Sequence, residues 1–152
     1  MIRHTLLRPT LAAVAFTLCV PAAALARDST RQVCSAIAEF RDGDATTKIA
    51  VSIDFYDSRD PGGSDGRKYV LSSIYQGKLF QGSMIDKSDK FGEGTITLKN
   101  GRSELYAGKF KLEQQKDDSY VMALDGRINE DPTASRKLYP IKAKLPCVNL
   151  SF

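Results

Sequence analysis

Tryptophan is absent from the sequence, and its 152 residues include only one histidine, His4, and three cysteines. The apolar stretch at residues 11–20 is shorter than the roughly 20 residues that a helix needs to cross a bilayer. The short length of this stretch disfavours a membrane-spanning helix, so a membrane anchor is the weaker interpretation of the first residues.

The first 26 residues have the three parts of a cleavable signal peptide. A basic segment with Arg3 and Arg8 precedes the apolar stretch, and Ala24-Leu25-Ala26 gives the small residues that a signal peptidase reads. We therefore expect residues 1–26 to be removed and residues 27–152 to form one domain. The short, alanine-rich form indicates export to the periplasm or the medium, in a Gram-negative bacterium.

Removal of the signal peptide would take away His4, Cys19 and two arginines. The mature chain then has no histidine, which excludes Ser-His-Asp and Cys-His nucleophiles and histidine metal ligands. Its 20 basic and 18 acidic residues give a net charge of +2. Such a balanced charge gives no support for nucleic-acid binding.

Cys34 and Cys147 remain near the two ends of the mature chain. In an oxidising compartment two cysteines so placed are expected to form a disulfide, whereas two buried free thiols are the alternative. The bond would close a loop of about 114 residues, which the chain-entropy estimate values at about 4–5 kcal/mol.

After residue 30 the apolar residues alternate with polar ones. Ile49, Val51, Ile53 and Phe55 share one face of a predicted strand, which is typical of a half-buried sheet. Asn100-Gly101 is a strong signal for a two-residue hairpin. We predict an all-β fold, a single antiparallel β-barrel or barrel-like sandwich of about eight strands, with the disulfide joining the first and last. The predicted strands lie near 32–40, 48–57, 67–75, 78–86, 94–99, 103–113, 119–128 and 137–147.

A Tyr-x-Gly-Lys pattern ends at Lys78 and again at Lys109, and Gly126 begins a related Gly-Arg-Ile. A repeated ligand contact is one interpretation. The favoured interpretation is that each glycine permits a bend or bulge in a curled sheet.

The segment from Asp57 to Arg67 is the most distinctive connection, because it is long and glycine-rich and joins two predicted strands. It could be a Ca²⁺ loop with Asp57, Asp60 and Asp65, although its arginines would oppose a cation. It could instead contact a partner or be a solvated connection. The candidate partner-binding residues are Asp60, Ser64, Asp65, Lys68 and Tyr69.

The same segment resembles the signature loop of the bacterial periplasmic and membrane-bound inhibitors of C-type lysozyme, which are small exported β-barrels. That signature is Ser-x-Ser-Gly-x-(Lys/Arg)-Tyr, and Gly66, Lys68 and Tyr69 match it. Gly63 and Asp65 replace its two serines. Since glycosidases work with paired carboxylates, an inserted Asp65 would meet like charge. The resemblance implies an inhibitor that inserts the Ser64–Tyr69 loop into a lysozyme cleft.

Two further sets of residues are candidates for chemistry. Carboxylates occur near predicted strand ends and turns, but nothing in the sequence brings a hydrolase pair together. Six tyrosines could line an apolar pocket or pack into the core, and large inward residues such as Phe80 and Phe110 favour a filled interior. The carboxylates are Asp86, Asp89, Glu93, Glu113, Asp117, Asp118 and Asp125, and the tyrosines are Tyr56, Tyr69, Tyr75, Tyr106, Tyr120 and Tyr139.

Without histidine or a metal motif, we expect a non-enzymatic binding protein that needs no cofactor. Its partner is expected to be a protein or a small apolar molecule, bound at a loop rim or the barrel mouth. Inhibition of a lytic enzyme and a structural role in the cell envelope are the two alternatives.

Overall fold

The computed structural model describes residues 29–59, 66–88, 90–133 and 138–150. These residues form eight β-strands, and the strand positions predicted from alternation are confirmed with ends that differ by a few residues. The predicted signal peptide lies outside the described residues. The strands are β1 Ser29–Asp42, β2 Ala45–Arg59, β3 Arg67–Tyr75, β4 Lys78–Asp86, β5 Glu93–Asn100, β6 Ser103–Gln114, β7 Tyr120–Asn129 and β8 Leu138–Asn149.

The strands form a closed antiparallel barrel in which each strand pairs with the next and β8 pairs with β1. This confirms the predicted all-β barrel and its adjacent first and last strands. Short turns follow β1, β3 and β5 at one end of the barrel, which we call the hairpin end. The connections after β2, β4 and β6 lie at the other end, together with the start of β1 and the end of β8. We call this second end the loop end.

The inward face of the barrel follows the alternation of the sequence. Ile49, Val51, Ile53 and Phe55 of β2 are all buried, whereas Ala50 and Ser52 between them are exposed. Because successive side chains of a strand point to opposite faces, this period of two places one apolar row per strand inside the barrel. Burial of these rows is the main source of the stability of the fold.

Aromatic rings fill the interior near the loop end. The ring centroid of Phe55 lies 5.7 Å from that of Tyr69 and 6.0 Å from that of Phe110. Phe91, from the connection after β4, contacts both Phe55 and Tyr120. Such offset and edge contacts pack the space that a ligand would otherwise occupy. The interior is therefore filled here, as the large inward residues predicted.

The glycine pattern has different roles at its different positions. Gly108 and Gly126 are directly opposite on β6 and β7, and a Cβ on Gly126 would lie 2.4 Å from the carbonyl oxygen of Ala107. Only glycine permits this close approach of two strands. Gly77 instead lies in the β3–β4 turn with φ of 70°. The pattern thus supports bending and turning of the sheet and does not form a repeated site.

Among the described residues, the ladder between β8 and β1 contains three residue pairs and ends at Cys34 and Cys147. The amide of Leu150 donates to the carbonyl of Arg31, so alternate residues of β8 direct their amides towards β1. Pro146 is on that side and has no N–H to donate. The missing donor at Pro146 explains why the β8–β1 hydrogen bonds do not continue beyond the Cys34–Cys147 pair.

The ladder between β4 and β5 is shorter still, with Gln81 opposite Lys99 as its one pair. Towards the loop end, the Sδ atom of Met84 lies 2.4 Å from the position that a Cβ on Gly94 would occupy. The Met84 side chain thus packs on the bare backbone of β5. We call these two short ladders the β8–β1 seam and the β4–β5 seam, and together they divide the barrel into β1–β4 and β5–β8.

Candidate functional site

The structure describes two of the five residues predicted to bind a partner. Asp60, Ser64 and Asp65 lie outside the described residues, and the predictions for them stay predictions. Lys68 is exposed on the outer face of β3, directly opposite Ile85 of β4. Tyr69, the next residue, points into the barrel.

Tyr69 is fully buried, and its hydroxyl group holds the connection after β4. It donates to the carbonyl of Lys90 and accepts from the amide of Gly92, both at 3.1 Å. Burial raises the pKa of this phenol, which keeps it protonated as a donor. In this conformation Tyr69 supports the loop end from inside, and Lys68 is the member of the pair that a partner can reach.

A buried ion pair joins the two sides of the predicted loop. The Nη1 atom of Arg67 donates to Oδ2 of Asp57 at 3.0 Å, and the exposed fractions of the two side chains are 17% and 1%. The Arg67 guanidinium also lies 5.1 Å from the centroid of the Phe91 ring. This arrangement fastens the base of the 60–66 connection to the β4–β5 connection.

The sequence indicates the buried position of Asp57 only indirectly. It continues the inward row of Val51, Ile53 and Phe55 at a spacing of two, so its side chain had to face the core. A buried carboxylate requires a charged or hydrogen-bonding partner. In the structure this partner is Arg67, and the calcium interpretation of Asp57 gains no support from it.

A second buried polar group lies near the same end. Gln32 is buried at the start of β1, and its Nε2 donates to Oδ1 of Asn149 at 2.7 Å. Its Oε1 atom accepts no hydrogen bond from any described residue. A buried amide oxygen normally has a partner, so Gln32 is a position at which a donated hydrogen bond would be stabilising.

The predicted disulfide is confirmed between Cys34 and Cys147. The two residues are directly opposite on β1 and β8, with Cα atoms 3.9 Å apart and an S–S distance of 2.09 Å. Cys34 is fully buried. The bond closes the barrel at the last pair of the β8–β1 ladder.

Exposed apolar side chains cluster on the outer face near the loop end. Tyr56, Ile85 and Val148 have exposed fractions of 42%, 59% and 65%. Register connects them: Val148 is opposite Val33, Tyr56 is opposite Val70, and Ile85 is opposite Lys68. At the spacing of about 4.8 Å between strands, they span five neighbouring strands and about 20 Å. We call this set the rim band, and its members are Val33, Tyr56, Val70, Ile85, Val148 and Leu150.

The rim band was not predicted from the sequence. Each of its residues is a single apolar side chain on the polar face of its own strand, which is unremarkable alone. Only the register of β8, β1, β2, β3 and β4 brings them together. Val33 and Val70 are half-buried, and the Arg31–Asp54 ion pair and Lys68 lie among the apolar side chains. A surface that combines exposed apolar side chains with charged neighbours is typical of an interaction site.

The carboxylates considered for acid–base chemistry have separate local partners. Asp86 accepts from the amide and hydroxyl of Ser88, and Asp117 does the same with Ser119. These hydrogen bonds lower the pKa of both aspartates. A general acid needs the opposite shift, so neither is prepared for that role. Three others pair with lysines, as Glu93–Lys90, Glu113–Lys144 and Asp125–Lys142, and Asp118 accepts a hydrogen bond from Nε2 of Gln114.

The described residues contain no group of three His, Cys, Asp or Glu side chains placed together as metal ligands would be. The same residues include no helix with the length and apolar character needed to cross a membrane.

Comparison of the chain with models of known protein families, with curated proteins and with solved structures found no match.

Proposed function

We propose that this chain is an exported, non-enzymatic β-barrel protein that binds a protein partner through the loop end, with the rim band as the contact surface. The observation that carries the proposal is the rim band itself, which has exposed apolar side chains on β2, β4 and β8. A disulfide-closed barrel is compatible with an oxidising compartment outside the cytoplasm.

The loop end also has the rigidity that a binding surface needs. The two hydrogen bonds of Tyr69 hold the β4–β5 connection from within, and the Asp57–Arg67 ion pair joins the end of β2 to the start of β3. Fixing loops before association lowers the entropic cost of binding. The ring cluster under these loops fills the interior, which favours binding on the outer surface over a ligand held inside.

A paired substitution on the rim band tests the proposal. Tyr56→Ser with Ile85→Ser removes two exposed side chains of the rim band. Ile74→Ser with Leu79→Ser is the matched control, because these two exposed residues are opposite each other near the hairpin end. We expect quantitative affinity capture from cell-envelope extract to retain the same partner with the wild type and the control, and to lose it with the rim variant.

Equal retention of that partner by the rim variant would contradict the assignment of the contact surface. Reproducible turnover of a hydrolase substrate by the purified protein, abolished by changing one carboxylate, would contradict the non-enzymatic part.

Inhibition of a lytic enzyme is the second candidate function. It is favoured by the ion pair between Asp57 and Arg67, which gives the 60–66 connection a rigid base. We expect micromolar protein to inhibit at least one of a panel of C-, G- and I-type lysozymes, and Lys68→Ala to weaken the effect. Full activity of the whole panel would eliminate this candidate.

A further inference from the structure

The outer face of β5, β6 and β7 carries a groove. Two adjoining hollows of about 460 Å³ each lie on this face, and Thr95, Lys109 and Asp125 line both of them. Short side chains, among them Ala107 and Ala123, lie between long charged ones in the two linings. The hollows therefore join into one groove, which has a floor of small residues and runs along the three strands.

Three cations line the groove at regular intervals. Lys111 and Lys109 are two residues apart on β6, and Arg127 of β7 is opposite Ala107, which is two residues before Lys109. All three are exposed and belong to the lining of the groove. Because a strand rises about 3.4 Å per residue, each step from Lys111 to Lys109 to Arg127 advances about 7 Å along the groove. We call Lys109, Lys111 and Arg127 the cation row.

The carboxylates in the groove pair with lysines outside the cation row. A carboxylate oxygen of Asp125 lies 3.5 Å from Nζ of Lys142, and one of Glu93 lies 3.1 Å from Nζ of Lys90. No member of the cation row forms an ion pair with a described residue. The third acid of the lining, Asp86, is on β4, the lining strand farthest from the row. The charge that remains without a partner in the groove is therefore positive, which favours an anionic ligand.

We propose that this groove binds an extended acidic segment of a partner protein, whose carboxylates lie beside the cation row. Alternate side chains of an extended chain lie on one face about 7 Å apart, which is the interval of the row. Acidic residues at positions i, i+2 and i+4 of the segment would thus meet the three cations in turn. The hydroxyl groups of Thr95 and Thr97 lie in the same lining and can form hydrogen bonds with the main chain of the segment.

Separate charges fit the groove better than a continuous polyanion such as a nucleic acid strand. Glu93 is opposite Lys111, and Asp125 is opposite Lys109. A ligand with a phosphate at every unit would meet these carboxylates as well as the cations. A peptide can instead place neutral residues between its acidic ones. The inference does not depend on the rim band, because no residue of the rim band lies on β5, β6 or β7.

Three capped pentapeptides test the proposal by titration into ¹⁵N-labelled protein: Glu-Thr-Glu-Thr-Glu, Thr-Glu-Glu-Glu-Thr and Gln-Thr-Gln-Thr-Gln. We expect the first to shift the amide signals of Thr95, Lys109 and Arg127, and added salt to weaken its binding. The second has the same charge at the wrong interval and should bind about threefold more weakly. The third has no charge and should bind about tenfold more weakly than the first.

Lys109→Ala with Arg127→Ala removes two members of the cation row. Lys78→Ala with Arg102→Ala is the matched control, because it removes the same two residue types from exposed positions at the hairpin end. We expect the first variant to bind the alternating acidic peptide about tenfold more weakly and the control to bind it like the wild type. The control accounts for the change in net charge, and an unchanged amide spectrum away from the substituted sites shows that each variant is folded.

Several results would overturn the proposal. These are no signal shifts with the alternating acidic peptide, equal affinity for the two acidic peptides, or equal binding by the cation-row variant and its control. Tighter binding of a single-stranded oligothymidylate at the same amides would overturn it in favour of a nucleic-acid surface.

Discussion

The two seams of the barrel interrupt the same sheet but are closed in different ways. At the β8–β1 seam the ladder ends beside Pro146, and a disulfide joins the last pair, Cys34 and Cys147. At the β4–β5 seam one residue pair remains, and packing of Met84 on Gly94 replaces the hydrogen bonds. Loss of strand pairing is thus compensated by a covalent bond at one seam and by side-chain packing at the other.

This difference separates stability from function within one fold. Substitutions at the covalent seam and in the core should change the free energy of unfolding. Substitutions on the rim band should change binding alone. The following predictions test that separation, from the largest effect on stability to the smallest.

Removing the disulfide should have the largest effect. Cys34→Ser with Cys147→Ser frees a loop of about 114 residues in the unfolded chain, and the chain-entropy estimate of the loss is about 4–5 kcal/mol. Urea denaturation of the variant and of the reduced wild type should give the same lowered midpoint. A midpoint equal to that of the oxidised wild type would show that the β8–β1 seam does not need its covalent bond.

A methyl group at the glycine crossing of β6 and β7 should be the next most costly. In Gly126→Ala the new Cβ would meet the carbonyl of Ala107 at 2.4 Å and the Cα of Gly108 at 2.7 Å, so we expect a loss of about 3 kcal/mol. Gly77→Ala is the matched control. It places a methyl group in open space at φ of 70° and should cost about 1 kcal/mol. Equal losses in chemical denaturation would contradict the assignment of different roles to the two glycines.

The buried tyrosines should make the protein sensitive to alkali. Burial raises the pKa of Tyr106 above the value of about 10 in the unfolded chain. Below that pH both states are protonated. Above it the unfolded chain releases the proton while the folded chain keeps it, so stability falls as pH rises.

Tyr106→Phe should therefore flatten the loss of stability above pH of about 10. At neutral pH it should cost about 1 kcal/mol, because the hydroxyl donates to the carbonyl of Lys109 at 2.6 Å. Tyr75→Phe in the other half of the barrel should flatten the profile less, although burial raises that pKa too. Denaturation midpoints measured across the alkaline range check both, and an unchanged profile for Tyr106→Phe would contradict the assignment.

The binding surfaces should contribute least to stability. Tyr56→Ser with Ile85→Ser, and separately Ile74→Ser with Leu79→Ser, change exposed side chains, so each should shift the free energy of unfolding by no more than about 0.5 kcal/mol per site. Thermal and urea denaturation measure this directly. A large loss for either variant would mean that the surface is part of the folded framework and not a separate binding site.

The barrel could be predicted from the sequence because its signals are local. Alternation over Ile49–Phe55 and the Asn100-Gly101 hairpin signal each depend on a few neighbouring residues, although the two turn residues are Gly101 and Arg102. The predicted export signal made a disulfide between Cys34 and Cys147 the simplest pairing. Closure followed from the placement of those cysteines in the first and last strands.

The surfaces could not be predicted because they depend on register between strands that are distant in sequence. Ile85 and Val148 belong to one rim band only because β1, β2 and β3 lie between β8 and β4. Pro146 ends the β8–β1 ladder only because its backbone nitrogen, which carries no hydrogen, faces β1 and not β7. Tyr69 is the last residue of the Ser64–Tyr69 loop motif, but its place in β3 directs its side chain into the core.

Native-state hydrogen exchange, followed amide by amide in NMR spectra, most directly tests the claim that β4 and β5 share only one ladder pair. We expect the amides of Gly94–Thr97 that face β4 to exchange much faster than amides between β6 and β7, which should approach the protection set by global unfolding. Equal protection across β4–β5 and β6–β7 would show a continuous ladder and would contradict the β4–β5 seam.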